Sequence, residues 1–143
     1  MPFNIRHTGI VVTNLEKSKN FYCNLLGFQV KREMDEHGEF IDNFSDLTDV
    51  LVTTCKMTLD NGDMVELLHY KSHPEKPNME RKITQIGCSH IALTIKNLDE
   101  VYDRLLLSGV EFNNPPHYSP DNKAKVTFCK DPDGTFIELV EEQ

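Results

Sequence analysis

The feature that most constrains the fold of this 143-residue chain is an internal repeat. Residues 5–16 and 88–99 each place a histidine third in a run rich in β-branched and apolar residues, and each run ends in Asn-Leu followed by an acidic residue. Further along, residues 61–68 and 133–140 each combine a hairpin turn signal, Asn-Gly or Asp-Gly, with a glutamate inside the strand-like run that follows. Matching halves of this kind predict two copies of one supersecondary unit.

The order of predicted elements is the same in both halves. A strand comes first, then a helix with apolar residues at helical spacing that ends at Gly27 or Gly109, and then three strands. This order predicts an α+β fold of two βαβββ modules. The predicted strands are 5–12, 28–31, 50–59 and 63–70, then 87–95, 110–112, 124–130 and 135–141; the helices are 15–26 and 98–108; the modules are 1–70 and 85–143, joined by a polar, proline-containing linker at 71–84.

The two halves differ in length at one place. The repeated histidines are 83 positions apart and the repeated glutamates 72, so the first half contains an extra 11 residues between them. The polar segment 32–49 accounts for this difference, and we expect it to be a long loop or a frayed hairpin that could serve as a mobile lid.

Four repeated side chains form the candidate site: His7, Glu66, His90 and Glu138. Because strand residues alternate between faces, each of them lies on the less hydrophobic face of its strand, while the opposite face is apolar and suited to packing under a helix. Two imidazoles and two carboxylates suit a divalent first-row ion with water completing the coordination. No cysteine is in register with the repeat, so an open, catalytic ion is favoured over a closed structural zinc site.

The bulk composition excludes several other classes of function. A formal charge of -8 argues against nucleic acid or an anionic membrane as partner, since both need clustered cations. No apolar run approaches the roughly 20 residues of a membrane span, and the N-terminus lacks the layout of a secretion signal. The four cysteines are scattered, with no CxxC pair, which favours reduced thiols and a cytoplasmic location.

At the level of motifs, the chain resembles the vicinal oxygen chelate superfamily, which comprises glyoxalases, bleomycin-resistance proteins and extradiol dioxygenases. The resemblance covers almost the whole chain and is carried by residues 7–12, 15–18, 21–28, 65–68, 90–93 and 131–139. It implies paired βαβββ modules whose cupped mixed sheets surround a divalent ion of Zn, Ni, Co, Mn or Fe, usually in a homodimer.

The resemblance also implies roles for the repeated residues. His7, Glu66, His90 and Glu138 fall on the family's metal positions, and Glu138 is the first candidate for the catalytic base, with Glu66 the second. The implied activity is that of a metal-dependent lyase or isomerase, glyoxalase-like or an epimerase. It would transfer a proton next to the carbonyl of a small oxygenated metabolite, through an enolate that the metal stabilises.

Single positions bear on the choice of subfamily. Short bacterial glyoxalase I enzymes have an arginine where this chain has Val11 and an asparagine where it has Tyr70, which argues against a glutathione hemithioacetal substrate. Residues 66–69 resemble methylmalonyl-CoA epimerase, whereas 119–121 and 128–134 look more like cyclitol epimerases. An Fe(II) extradiol-type dioxygenase and a metal-free drug-binding resistance protein of the same fold stay open as alternatives.

Overall fold

The computed structural model describes residues 2–143, which form two compact units that divide between Pro77 and Asn78. Each unit contains one four-stranded mixed sheet and few helices, and in each the first strand pairs in parallel with the last. The predicted α+β fold of two βαβββ modules is confirmed. None of the helices in residues 2–143 has both the length and the apolar character that a bilayer span requires.

The first unit contains four strands and two helices. Its sheet has the order β1-β4-β3-β2, and the pairings β4-β3 and β3-β2 are antiparallel. The elements are β1 (Thr8–Val11), α1 (Leu15–Lys19, which continues with π-helical hydrogen bonding over Asn20–Leu25), β2 (Gln29–His37), α2 (Glu39–Ser45), β3 (Leu51–Thr58) and β4 (Met64–Tyr70).

The first helix has capping features at both ends, and its predicted end at Gly27 is confirmed. The Asn14 side chain accepts a hydrogen bond from the backbone N–H of Lys17 at 3.1 Å, as an N-cap does. At the other end Gly27 has a φ of +89°, which a glycine adopts without strain. The apolar face predicted to pack under this helix is buried in β1 and β4, where Ile10 is 6 % exposed and Leu67 is fully buried.

Segment 32–49 is ordered, so the expectation of a long loop or a frayed hairpin was wrong. The edge strand β2 runs to His37 and pairs with β3 along its length, and α2 follows directly. Ile41 of α2 is buried against Val50 and Val52. The segment looked like a loop because β2 carries many charged residues, and charged residues are what an exposed sheet edge favours.

The second unit repeats this architecture with one helix and a much shorter edge strand. Its sheet has the order β5-β8-β7-β6. The elements are β5 (His90–Thr94), α3 (Leu98–Leu107), β6 (His117–Tyr118), β7 (Ala124–Lys130) and β8 (Phe136–Glu142).

One predicted strand of the second unit is not a regular strand. Segment 110–112 makes only an isolated bridge, Phe112 to Cys129, and β6 forms instead inside the predicted loop 113–120. Pro115 and Pro116 lie between the two pairings with β7. Because proline has no N–H to donate, a continuous ladder cannot run through them.

Candidate metal centre

Strand register places the repeated histidines and glutamates in equivalent positions. In the parallel pair β1-β4, Gly9 lies opposite Glu66, and in β5-β8, Ala92 lies opposite Glu138. In the second unit His90 pairs with Phe136, two residues before Glu138 and on the same face of the sheet. In the first unit His7 directly precedes β1, two residues before Gly9. A small residue stands opposite each carboxylate, which leaves room beside it.

The structure brings each histidine together with the glutamate of its own unit. Nε2 of His7 is 3.5 Å from Oε1 of Glu66, and Nε2 of His90 is 3.4 Å from Oε2 of Glu138. The side chain of Glu66 is 12 % exposed and that of Glu138 is 24 % exposed. Within each unit, the described residues bring no further His, Cys, Asp or Glu to the pair in a group that could hold a metal.

The hydrogen bonds of Ser89 orient the ring of His90. The Ser89 hydroxyl donates to the backbone carbonyl of Ile83 at 3.2 Å, and its oxygen lies 2.9 Å from Nδ1 of His90. The Ser89 hydroxyl thus lies between the Ile83 carbonyl and Nδ1 of His90, and this contact orients the imidazole ring. The other ring nitrogen, Nε2, faces a carboxylate oxygen of Glu138.

His7 lacks the support that His90 has. Its Nδ1 is buried and makes no hydrogen bond within residues 2–143, and its Nε2 is farther from Glu66 than a normal N–H···O bond allows. The residue before it is Arg6, where the second unit has Ser89. Buried polar atoms in proteins normally have a hydrogen-bond partner, so Nδ1 of His7 is an exception.

The geometry of both pairs fits a divalent cation. Neighbouring ligands with bonds of about 2.1 Å stand roughly 3.0 to 3.4 Å apart for octahedral or tetrahedral geometry, close to the distances within the two pairs. An imidazole nitrogen that carries no hydrogen and a carboxylate oxygen repel each other at this distance unless a cation lies between them. Imidazole nitrogen with carboxylate oxygen is also a donor set that first-row divalent ions accept.

The two pairs have different surroundings. In the second unit Phe128 of β7 lies opposite Glu138, and its ring centroid is 5.0 Å from that of His90 in an edge-to-face contact. In the first unit the equivalent position opposite Glu66 is occupied by Lys56. One pair therefore has an aromatic neighbour and the other a cationic one.

Sequence reasoning missed Ser89, Phe128 and Lys56. Ser89 directly precedes a candidate ligand, so its hydroxyl could have been weighed from the sequence alone. The other two could have been found by counting back across each hairpin from its turn, because the position opposite each glutamate follows from the register.

A separate cavity of about 460 Å³ lies in the first unit, and it is lined by neither His7 nor Glu66. Thr53 and His69, which pair with each other and line it, belong to the opposite face of the sheet. The carboxylate of Asp35, another lining residue, accepts a hydrogen bond from Thr53 at 2.5 Å. The bond from Thr53 and the charge of Lys71 lower the pKa of Asp35.

Comparison with known proteins identifies the family. The model of the Glyoxalase/Bleomycin resistance protein/Dioxygenase superfamily matches residues 4–139, and this chain belongs to that superfamily. It is similar to the YwkD protein of Bacillus subtilis, with 30% identity over 97% of both chains. It is also similar to a lactoylglutathione lyase of Pseudomonas aeruginosa, with 27% identity over 94% of this chain and 80% of the enzyme.

Solved structures support the same fold. A glyoxalase family protein from Bacillus cereus superposes with a TM-score of 0.90, over 99% of this chain and 95% of the other, at 20% sequence identity. Other relatives and structural neighbours include a dioxygenase and a fosfomycin resistance protein. Members of the superfamily commonly use divalent metals and act on small molecules.

Proposed function

We propose that this protein is a metal-dependent lyase or isomerase, glyoxalase-like or an epimerase, that moves a proton next to the carbonyl of a small oxygenated metabolite. His7, Glu66, His90 and Glu138 would hold one divalent ion of Zn, Ni, Co, Mn or Fe, drawn from one chain or from two chains of a homodimer. The superfamily's lyases support the class of reaction, and the free thiols of all four cysteines fit a cytoplasmic location.

The observation that carries the proposal is the pair of matching His–Glu contacts. Each presents Nε2 to a carboxylate oxygen at 3.4 or 3.5 Å, from equivalent positions of two sheets. In the second pair the contact between Ser89 and Nδ1 of His90 holds the ring so that Nε2 faces Glu138. Lone histidine–glutamate contacts are common on protein surfaces, but a repeated contact in the same register is what a duplicated ligand set produces.

The chain's own residues then have separate roles in the reaction. When bound, the ion supplies Lewis acidity, which polarises a carbonyl oxygen and favours loss of a proton from the neighbouring carbon. Glu138 would accept that proton, and Glu66 would return one in an epimerisation. Phe128 would help to hold the ring of His90 in place through their edge-to-face contact.

Replacing the proposed base provides the direct test. We expect Glu138→Gln to abolish exchange of substrate C–H with deuterated solvent and to retain the fold, since the amide has nearly the shape of the carboxylate. NMR would follow the exchange over a panel of 2-hydroxy acids, 2-keto acids, acyl-CoA thioesters and cyclitols. Glu142→Gln, an exposed glutamate of the same strand, is the matched control and should exchange normally. Unchanged exchange in the Glu138 variant would reject the assigned role.

Elemental analysis of the purified protein separates the proposal from its alternatives. One equivalent of a divalent metal per proposed site, lost in His7→Ala and His90→Ala, supports the ligand set. Iron together with oxygen uptake on catechols would indicate a dioxygenase instead. A protein that binds no metal even after reconstitution would indicate a metal-free binding protein.

A further inference from the structure

A β-bulge gathers positive charge beside Glu66. In the antiparallel pair β2-β3, Val30 lies opposite Met57 and Arg32 lies opposite Lys56, so Lys31 is an extra residue without a partner of its own in β3. In a bulge of this kind, two residues of one strand lie opposite a single residue of the neighbouring strand. Lys31 and Arg32 therefore both stand against Lys56.

The register places these cations in the same row as the candidate metal ligand. Lys56 is directly opposite Glu66 on one side and Arg32 on the other, and residues in such a row share one face of the sheet. The face is bounded further along by α2, whose Ile41 packs in a cluster with Leu68 and Tyr70. The cationic row is thus the open, polar part of the face that carries Glu66.

On the opposite face of the sheet, Glu33 and Asp35 of β2 already have partners. Glu33 forms an ion pair with Lys19 at 2.8 Å. Asp35 accepts from Thr53 and lies 3.6 Å from Lys71.

The side chains in the cationic row have no such partners. Within residues 2–143, those of Arg32 and Lys56 make no ion pair or hydrogen bond, although the chain as a whole is strongly acidic. Unpaired cations next to a candidate metal-binding carboxylate favour the binding of an anionic ligand.

The geometry points to an anion-binding subsite formed by Arg32 and Lys56, which would hold a carboxylate or a phosphate ester of the substrate. A guanidinium presents paired donors that match either group, and the ammonium of Lys56 adds a point charge. This inference rests on the proposed function, because it gives the substrate of that same site an anionic group. Phe128, the equivalent of Lys56 in the second unit, brings no charge to its own pair.

The test is an NMR titration of the full-length, ¹⁵N-labelled protein. Inorganic phosphate and acetate are the two charged probes, and acetamide is the neutral control. Each titration is done after treatment with a chelator, so that no metal can bind the anion, and again after reloading with Zn(II). We expect saturable shifts of the backbone amides around residues 31–32 and 56 with one or both anions, and none with acetamide. The anion that binds more tightly indicates whether the charged group of the substrate is a phosphate ester or a carboxylate.

Variants make the assignment specific. Arg32→Gln with Lys56→Gln should weaken anion binding roughly tenfold or more, because hydrogen bonds to charged groups are lost. Lys17→Gln, which removes an exposed lysine of α1, should change nothing. Glu66→Gln should tighten anion binding about two- to fivefold in the chelated protein, since it removes the negative charge opposite Lys56.

Failure of this inference is distinguishable from failure of the proposed function. Metal uptake without saturable anion shifts, or shifts that persist in the double variant, would overturn the subsite alone. Anion binding in a protein that takes up no Zn(II) by elemental analysis would support the subsite and reject the metal-dependent reaction.

Discussion

At the scale of single residues, the hydroxyl of Ser89 is the least conspicuous part of the candidate site and one of the most informative. It lies 2.9 Å from one nitrogen of His90 and thereby orients the ring so that the other nitrogen faces Glu138. Groups that orient a metal-binding histidine in this way commonly contribute ten- to hundredfold to metal affinity. We call Ser89 a positioning residue because it touches neither the carboxylate nor the space between the pair.

We expect Ser89→Ala to weaken Zn(II) binding about tenfold or more, because the imidazole would lose the hydrogen bond that orients its ring. Competition with a chromophoric chelator measures this affinity. Ser72→Ala is a matched control, since Ser72 also precedes a histidine and lies 2.8 Å from Nδ1 of His73, outside the candidate site. Equal affinities for both variants and the parent protein would contradict the role of Ser89.

The same scale shows what the sequence could and could not reveal about the site. The four candidate ligands were found because the repeat marks them and strand alternation assigns their faces. The hydrogen bond from Ser89 to Ile83, six residues earlier, was not predictable, because it depends on how an irregular segment folds back. The cations at the bulge were missed for a similar reason, since an extra residue in a ladder leaves no trace in a local pattern.

At the scale of elements, the two hairpin glycines of the repeat differ in their surroundings. Gly62 and Gly134 both have a φ of +92°, which suits glycine and strains other residues. A Cβ at Gly62 would meet nothing within 4 Å, whereas one at Gly134 would collide with the backbone carbonyl of Asn78. Asn78 is held there by its own N–H, which donates to the carbonyl of Asp133 at 3.0 Å.

This difference gives a paired prediction. Gly62→Ala should lower the free energy of unfolding by about 1 kcal/mol, the usual cost of the left-handed conformation. Gly134→Ala should cost about 2 kcal/mol more, because the backbone around Asn78 must also move. Urea denaturation followed by circular dichroism measures both, and equal losses would show that the contact with Asn78 carries no energy.

Helix α2 is an element that the sequence did not predict and that a single buried residue holds in position. Sequence patterns indicated a loop because β2 is highly charged and α2 has only seven residues. Its position is determined by Ile41, which packs on residues from β3 and β4. We expect Ile41→Ala to destabilise the first unit by about 2 kcal/mol or more. Phe44→Ala, at an exposed position of the same helix, should have little effect in the same denaturation experiment.

At the scale of the whole molecule, each unit buries one thiol in its core. Burial raises the pKa of Cys55 to about 11 and that of Cys129 to about 12. An unfolded cysteine loses its proton at a lower pH, so above pH 9 the unfolded state binds fewer protons than the folded state. Stability is therefore unaffected below pH 8 and falls as the pH rises from about 9 toward 11 or 12.

We expect each buried thiol to lower the free energy of unfolding by about 1 kcal/mol when the pH is raised from 8 to 10. Urea denaturation at the two pH values measures the loss, and Cys55→Ala with Cys129→Ala should reduce it by about twice that amount. The exposed Cys88 is the internal control, and Cys88→Ala should leave the pH dependence unchanged. A double variant with the same pH dependence as the parent would show that the thiols are not its source.

Local and periodic information in the sequence determined most of this protein: the duplicated order of elements, the glycines that end the helices, the hairpin turns and the four repeated candidate ligands. These features depend on neighbouring residues or on alternation within a strand, so they can be read without coordinates. Only the tertiary structure decided that Nε2 of each histidine faces a carboxylate, that α2 covers one end of the first sheet, and that Arg32 and Lys56 meet beside Glu66. All three depend on contacts between segments distant in the chain, and pairing register and packing determine which distant residues meet.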